Sequence, residues 1–251
     1  MELIVLGACG TYPKAGGACS GYLLRHKGFT LWMDAGHGTL SELQKHVPVT
    51  EVDAIFLSHA HPDHFVDVYP FFYSLFVHPD RPNQKVPIYG PKMVKERMGR
   101  LLTRRDGKED FDSVLPWKTF EWGNIEEVGP LRLTAFEAAH SCTNVCLRVE
   151  ADGSVLCYTG DTGMHPALEK GAAGADLFLC EATWLEDEMS IPEPIHLRAR
   201  EAGEIATRAG AEKLLLTHVW PHNDMTKVAE QAAAEYSGPL EIVDSGMAWS
   251  F

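Results

Sequence analysis

No run of apolar residues in this chain reaches the length of a membrane span, and the N-terminus lacks the basic-then-apolar pattern of an export signal. A membrane protein is excluded on this reading, and a cytoplasmic location is expected. Basic charge is scarce: 22 Lys and Arg stand against 35 Asp and Glu, a net charge of −13. Nonspecific nucleic-acid affinity comes largely from phosphate neutralisation by Lys and Arg, so no stable nucleic-acid binding is expected. Arg97, Arg100, Arg104 and Arg105 do fall at helical spacing, as a local basic patch or a solvated helix face would. No Cys-x-x-Cys pair occurs. The six cysteines (Cys9, Cys19, Cys142, Cys146, Cys157 and Cys180) are dispersed and read as reduced, buried thiols; Cys142 and Cys146 could pair, but a reducing compartment argues against it. Linker-like, repetitive and low-complexity stretches are also missing. With 251 residues and 45% hydrophobic content, residues 1–251 read as a single α/β domain or two intimately packed halves.

What the chain does have is the hexapeptide His59-Ala60-His61-Pro62-Asp63-His64, directly after the apolar run Asp53–Ser58. Three imidazoles and a carboxylate in one turn are the donors that a borderline cation such as zinc prefers. A buried strand ending there would aim several of them at one point. His59 and His61 can share one metal while Asp63 and His64, offset by the turn, face a second. Further ligands are then expected where later strands give way to loops. His140 follows Leu131–Phe136, Asp161 closes Val155–Asp161, Glu181 closes Asp176–Glu181 and His218 closes Lys213–His218.

Elsewhere the chain alternates short apolar strands and helical segments. Strands are expected at Leu3–Leu6, Gly21–Arg25 and Phe29–Met33, followed by a helix over Thr39–His46. The aromatic segment Val66–Val77 reads as a helix, with core packing favoured over substrate contact. A second helix is expected over Lys92–Leu102, then an exposed turn over Arg104–Asp110. From Leu131 to Tyr158 the pattern is all strand, with Asp152-Gly153 as a hairpin turn. Helix and strand alternate again over Leu197–Ala209, Lys213–Thr217, Thr226–Tyr236 and Leu240–Val243. Periodicity alone gives α/β.

Taken together, the His-x-His-x-Asp-His block, His140, the Gly160-Asp161-Thr162 turn and His218 resemble the metallo-β-lactamase superfamily. Within it, His196–Ala206 followed by Leu214–His218 resembles the ribonuclease Z-related phosphodiesterase branch. Ala18–Leu24 and Cys180-Glu181-Ala182 are similar to small bacterial atypical cyclic-nucleotide phosphodiesterases. The resemblance implies an αββα sandwich of two mixed β-sheets flanked by helices. It implies two divalent metal ions, zinc first with manganese or iron as alternatives. His59, His61 and His140 would hold one, Asp63, His64 and His218 the other, and Asp161 both. His196 matches the branch's catalytic histidine and would protonate the leaving alkoxide, unless it merely caps a helix. Glu181 would orient His196 or be a structural strand-end acid. His196, Asp63 and Glu181 are thus the candidate catalytic residues. Asp34, closing Leu31–Asp34, is expected to hold a ligand imidazole. The turn Gly7–Thr11 could let backbone amides approach substrate, with tight-turn geometry the simpler reason for its glycines. The remaining histidines read as surface residues, with His37 and His222 as the expected exceptions.

Substrate choice rests on what is missing. Ribonuclease Z proper carries a long tRNA-gripping arm between the residues matching His140 and Asp161, and here a hairpin fills that interval. With the acidic charge, this favours a small phosphodiester such as a 3′,5′-cyclic nucleotide, attacked by metal-bound hydroxide. The alternatives are tRNA 3′-processing, hydrolysis of a lactone or thioester, and a metal-binding scaffold without turnover. A homodimer is expected, with Tyr69–Phe76 as the candidate face.

Overall fold

A computed structural model describes residues 1–79, 85–101, 111–186 and 195–251. The expected turn over Arg104–Asp110, and with it Arg104 and Arg105, lies outside the described residues. In chain order the strands are β1 (Glu2–Gly7), β2 (Gly21–His26), β3 (Phe29–Ala35), β4 (Ala54–Phe56), β5 (Ile88–Gly90), β6 (Trp117–Thr119), β7 (Ile125–Val128), β8 (Leu131–Glu137), β9 (Val145–Ala151), β10 (Ser154–Tyr158), β11 (Leu177–Glu181), β12 (Leu214–Thr217), β13 (Leu240–Ile242) and β14 (Ala248–Ser250). The α-helices are α1 (Thr39–Leu43), α2 (Pro62–Phe65), α3 (Val68–Phe76), α4 (Lys92–Leu101), α5 (Phe111–Val114), α6 (Pro166–Gly171), α7 (Ala199–Ala209) and α8 (Met225–Ala233).

Among the described residues the strands form two seven-stranded mixed sheets, ordered β14-β1-β2-β3-β4-β5-β6 and β13-β12-β11-β10-β9-β8-β7. In the first, β14 to β3 pair antiparallel and β3 to β6 parallel. In the second, β7 to β10 are antiparallel and β10 to β13 parallel. Period-2 alternation builds the layers, because successive side chains point to opposite faces. Leu3, Val5, Leu31 and Met33 enter the core between the sheets, whereas Ile4, Leu6 and Trp32 pack beneath the helices outside. The second sheet does the same: Leu156 and Tyr158 face inward, Cys157 and Phe178 outward under α6, α7 and α8. This is the expected αββα sandwich.

The segment Val66–Val77 is helical from Val68, and its Val68, Phe71, Phe72 and Leu75 are buried, so core packing is its role. The helix after His196 starts at Ala199 rather than Leu197, because Leu197 and Arg198 stay extended to pair with Trp184. The stretch Leu131–Tyr158 is not all strand: residues 138–144 leave the sheet and carry His140. Asp152-Gly153 turns as expected, with both residues at positive φ, the requirement of a type I′ hairpin. No described helix is long and apolar enough to cross a membrane.

Candidate metal centre

Seven residues from two sheets meet at one end of the sandwich. The loop after β4 delivers His59, His61, Asp63 and His64; Pro62 opens α2, a position where its missing N–H costs nothing. The loops after β8, β10 and β12 deliver His140, Asp161 and His218. His59, His61, His140 and Asp161 form one group of convergent ligand atoms, and Asp63, His64, Asp161 and His218 a second, each within 4.8 Å. Asp161 belongs to both. Its carboxylate lies 3.5 Å from His59 Nε2, 3.2 Å from His64 Nε2 and 3.4 Å from His218 Nε2. The predicted ligands are therefore together, in the predicted pairing.

The hydrogen bonds behind the imidazoles set which nitrogen faces inward. His59 Nδ1 donates to Ser58 Oγ at 3.0 Å, His64 Nδ1 to Asp34 Oδ2 at 2.7 Å, His140 Nδ1 to the Ile195 carbonyl at 2.8 Å and His218 Nδ1 to Thr183 Oγ1 at 2.8 Å. Each leaves an Nε2 lone pair aimed at the centre. His61 instead turns Nδ1 inward, 3.1 Å from His59 Nε2 and 3.0 Å from His140 Nε2. Three lone pairs that close repel unless a cation lies among them. His64 Nε2 and Asp161 Oδ1 are buried without a hydrogen bond. Such orphaned donor atoms, rare in native proteins, fit two divalent ions.

Titration behaviour agrees. Burial holds His59 well below the usual imidazole range, lowers His61 to about 4 and lowers His140, with neighbouring imidazoles adding to it. Burial opposes charge on His64 as well, yet Asp161, Asp63 and Asp34 outweigh it and push its pKa well up. Burial likewise favours neutral Asp161, but His218, His64 and His59 hold it well below the carboxylate range. The cluster is acidic enough to draw a proton where a cation would go.

Asp34 does what its strand-end position predicts. It is fully buried, accepts from Ser58 N and Ser58 Oγ at 2.7 Å each and from Tyr158 Oη at 2.6 Å, and holds His64. Its φ of 53°, like His218 at 54° and Thr11 at 63°, is left-handed, a strained conformation for side chains other than glycine and one kept where surroundings over-determine it. The turn Gly7–Thr11 serves the ligands rather than offering free amides: Thr11 N donates to Asp63 Oδ2 at 3.0 Å. Close approach explains Gly10, whose Cβ would stand 2.5 Å from the His218 carbonyl.

His196 lies beside this centre, its ring 5.1 Å from His140 and 5.4 Å from His218. Its Nδ1 donates to Glu181 Oε1 at 3.0 Å, leaving Nε2 free of that bond. Burial works against its charge, but Glu181 and then Asp161 raise its pKa to about 9. Glu181 is fully buried and also accepts from Thr162 N and, at 2.6 Å, from Thr183 Oγ1. It stands behind His196 and is not among the residues that line the cavity. That cavity, about 460 Å³, is lined by Thr11, His61, Pro62, Asp63, Asp161 and His196.

Sequence reasoning missed Thr183, which relays between His218 and Glu181, and Asn144, whose Nδ2 holds the Thr159 and Asp161 carbonyls at 3.1 and 2.7 Å. A hydroxyl two residues beyond Glu181 was the available signal for Thr183. Arg97 is not merely a solvated face: Nη1 donates to the Ala60 carbonyl inside the hexapeptide at 2.6 Å. All six cysteines are free; Cys142 is only half-buried, whereas Cys146 approaches Cys157 at 3.6 Å between sulfurs. The His37 carbonyl accepts from Cys19 N, and its ring is in no group of convergent ligand atoms among the described residues, while His222 lies against Trp220 and Tyr12.

Comparison with known proteins places this geometry among relatives. The family model for the β-lactamase superfamily domain matches residues 30–219. The uncharacterised protein Rv1339 of Mycobacterium tuberculosis is 36% identical over 97% of this chain and 89% of its own length. The probable metallo-hydrolase YhfI of Bacillus subtilis is 29% identical over 99% of both chains, and its crystal structure superposes with a TM-score of 0.88 over 99% of this chain and 98% of that one. Ribonuclease Z of Myxococcus xanthus is 25% identical over 98% of this chain and 96% of its own.

Proposed function

The chain belongs to the β-lactamase superfamily, and on that premise we propose that it is a metal-dependent phosphodiesterase that hydrolyses a small phosphodiester such as a 3′,5′-cyclic nucleotide. The observation that carries the reading is the shared Asp161 between two ligand groups, with the His196–Glu181 pair beside them on one cavity. Two divalent ions in this set, zinc by donor chemistry, would supply an acidified water and neutralise a phosphoryl oxygen. His59, His61, His140 and Asp161 would hold one; Asp63, His64, Asp161 and His218 the other.

The chain's own residues supply the rest. Thr11 N fixes the Asp63 carboxylate, and Asp34 fixes the His64 ring. His196 is the proton donor. Its Nδ1 is engaged by Glu181, so Nε2 carries the proton toward the departing alkoxide oxygen, and the raised pKa keeps that proton in place at neutral pH. Glu181, locked by Thr162 N and Thr183 Oγ1, stabilises the protonated ring and fixes its orientation.

A small substrate is favoured over precursor tRNA on two grounds. Between His140 and Asp161 lie only β9, the Asp152-Gly153 turn and β10, and the alignment with Ribonuclease Z runs over 299 positions against the 251 residues here. Net charge is −13, where RNA grip needs basic surface. The test is a panel on the zinc-loaded protein: cyclic AMP, cyclic GMP, precursor tRNA at physiological salt, and a simple lactone. Cyclic nucleotide turnover should far exceed the others. Position-specific tRNA cleavage, or lactone hydrolysis alone, would overturn the substrate class.

A further inference from the structure

Three rings stand together beside Thr11, a residue that lines the cavity. Thr11, which lines it, accepts Trp220 Nε1–H on Oγ1 at 3.2 Å while its own N–H holds Asp63. Trp220 lies 5.2 Å from the His222 ring, and Tyr12 Oη is 3.1 Å from His222 Nδ1. Tyr12, 46% accessible, and His222 are exposed and Trp220 is half-buried, yet the group is held on both sides. The turn Trp220–Asn223 closes through Asn223 N to the Trp220 carbonyl at 3.0 Å, and the buried Asn223 side chain donates to the Thr183 carbonyl at 2.9 Å. Thr183 is the same residue that orients His218. Exposed aromatic faces normally cost free energy by leaving apolar surface in water; anchored two residues beyond a ligand histidine, they form a platform for a flat partner.

We propose that Trp220, with Tyr12 and His222, is the nucleobase subsite: a purine or pyrimidine stacks on this platform while its phosphodiester lies over the metal centre. The inference rests on the phosphodiesterase reading above. Stacking on an aromatic face suits every base because each has a π-face, so the site contributes affinity with little base selectivity. Fixed rings stack at low entropic cost, since the indole is held by Thr11 before substrate arrives.

Binding decides it without reference to turnover. Zinc-loaded protein is titrated with AMP and with ribose 5-phosphate, which lacks the base. Wild type should bind AMP about tenfold more tightly; Trp220→Ala and Tyr12→Ala should narrow that ratio, Trp220→Ala the more. Trp220→Phe decides the matter should Trp220→Ala fold poorly: it keeps a ring, so the AMP preference should persist while AMP-dependent quenching of tryptophan emission disappears. Equal affinity of wild type for both ligands, or an unchanged ratio in Trp220→Ala, would overturn the subsite, as would quenching that persists in Trp220→Phe. Absence of cyclic-nucleotide turnover with an intact AMP preference would sink the phosphodiesterase reading alone; turnover without that preference would sink the subsite alone.

Discussion

His196 and Asp161 line the same cavity, and the separate roles proposed for them are testable residue by residue. A cyclic nucleotide departs as a basic alkoxide that needs a proton, whereas p-nitrophenolate leaves without one. His196→Ala should therefore keep both metals, lose about 10²–10⁴-fold in rate on cyclic AMP, and lose much less on bis-p-nitrophenyl phosphate. Equal losses on both would make His196 a structural residue. The same proton sets a pH limb. A pKa raised to about 9 means that His196 is protonated at neutral pH and gives up its acid function as pH rises through that value, so the cyclic AMP rate should fall at alkaline pH. Two nearby cations favour the neutral ring and would bring the limb below about 9. It should vanish in His196→Ala. Asp161 is different, since it belongs to both groups of convergent ligand atoms, with His59, His61 and His140 in one and His64 and His218 in the other. Asp161→Ala should lower metal affinity by more than the roughly 10–100-fold that loss of an outer partner costs and nearly abolish hydrolysis of either substrate. Retention of two metals with most activity would remove its bridging role.

Strand ends set where these residues stand, and Asp34 shows how an element transmits order to a ligand. It is the penultimate residue of β3, in a left-handed conformation, and binds the Ser58 backbone at the end of the β4 run, Tyr158 at the end of β10, and His64. Asp34→Asn keeps the size and an acceptor for Ser58 N but removes the charge behind His64. Metal affinity should fall about 10–100-fold with the fold intact, measured by competition with a chromophoric chelator; unchanged affinity would confine Asp34 to a structural role. Much at this scale was legible from sequence. The convergent residues are visible because local spacing ties them together, as in His59–His64, or because a buried run points to them, as Leu214–Thr217 does to His218. Short edge strands were not: Trp117–Thr119 and Ile125–Val128 carry Lys118, Thr119 and Glu126 with no apolar alternation, and only their partners make them strands. Ala248–Ser250 pairs with β1 from the far end of the chain. Thr183 and the Ile195 carbonyl escaped for the same reason, since their contacts with His218 and His140 are made by folding and not by spacing.

Across the whole molecule the candidate metal centre joins the two sheets. His59, His61, Asp63 and His64 come from the first, and His140, Asp161 and His218 from the second, so each ligand group draws on both. Anything that binds only the folded arrangement stabilises it by mass action, by about 2.7 kcal/mol when free ligand is 100-fold above its dissociation constant. A chain of this size shifts about 2–4 °C per kcal/mol. Removing the ions with a chelator should then lower the unfolding midpoint on the order of 5–10 °C per ion. The loss has a further contribution from the centre itself: without cations, three inward lone pairs on His59, His61 and His140 face one another, and the imidazoles alone offset Asp63 and Asp161. Readdition of zinc should restore the midpoint in two increments if the ions bind with unequal affinity, and a Tyr12→Ala protein, altered only beside Thr11, should show the same shift as wild type. A midpoint unchanged after complete removal, verified by metal analysis, would mean that the sandwich holds this cluster together without ions and that the ligand geometry is fixed by the second layer of hydrogen bonds alone.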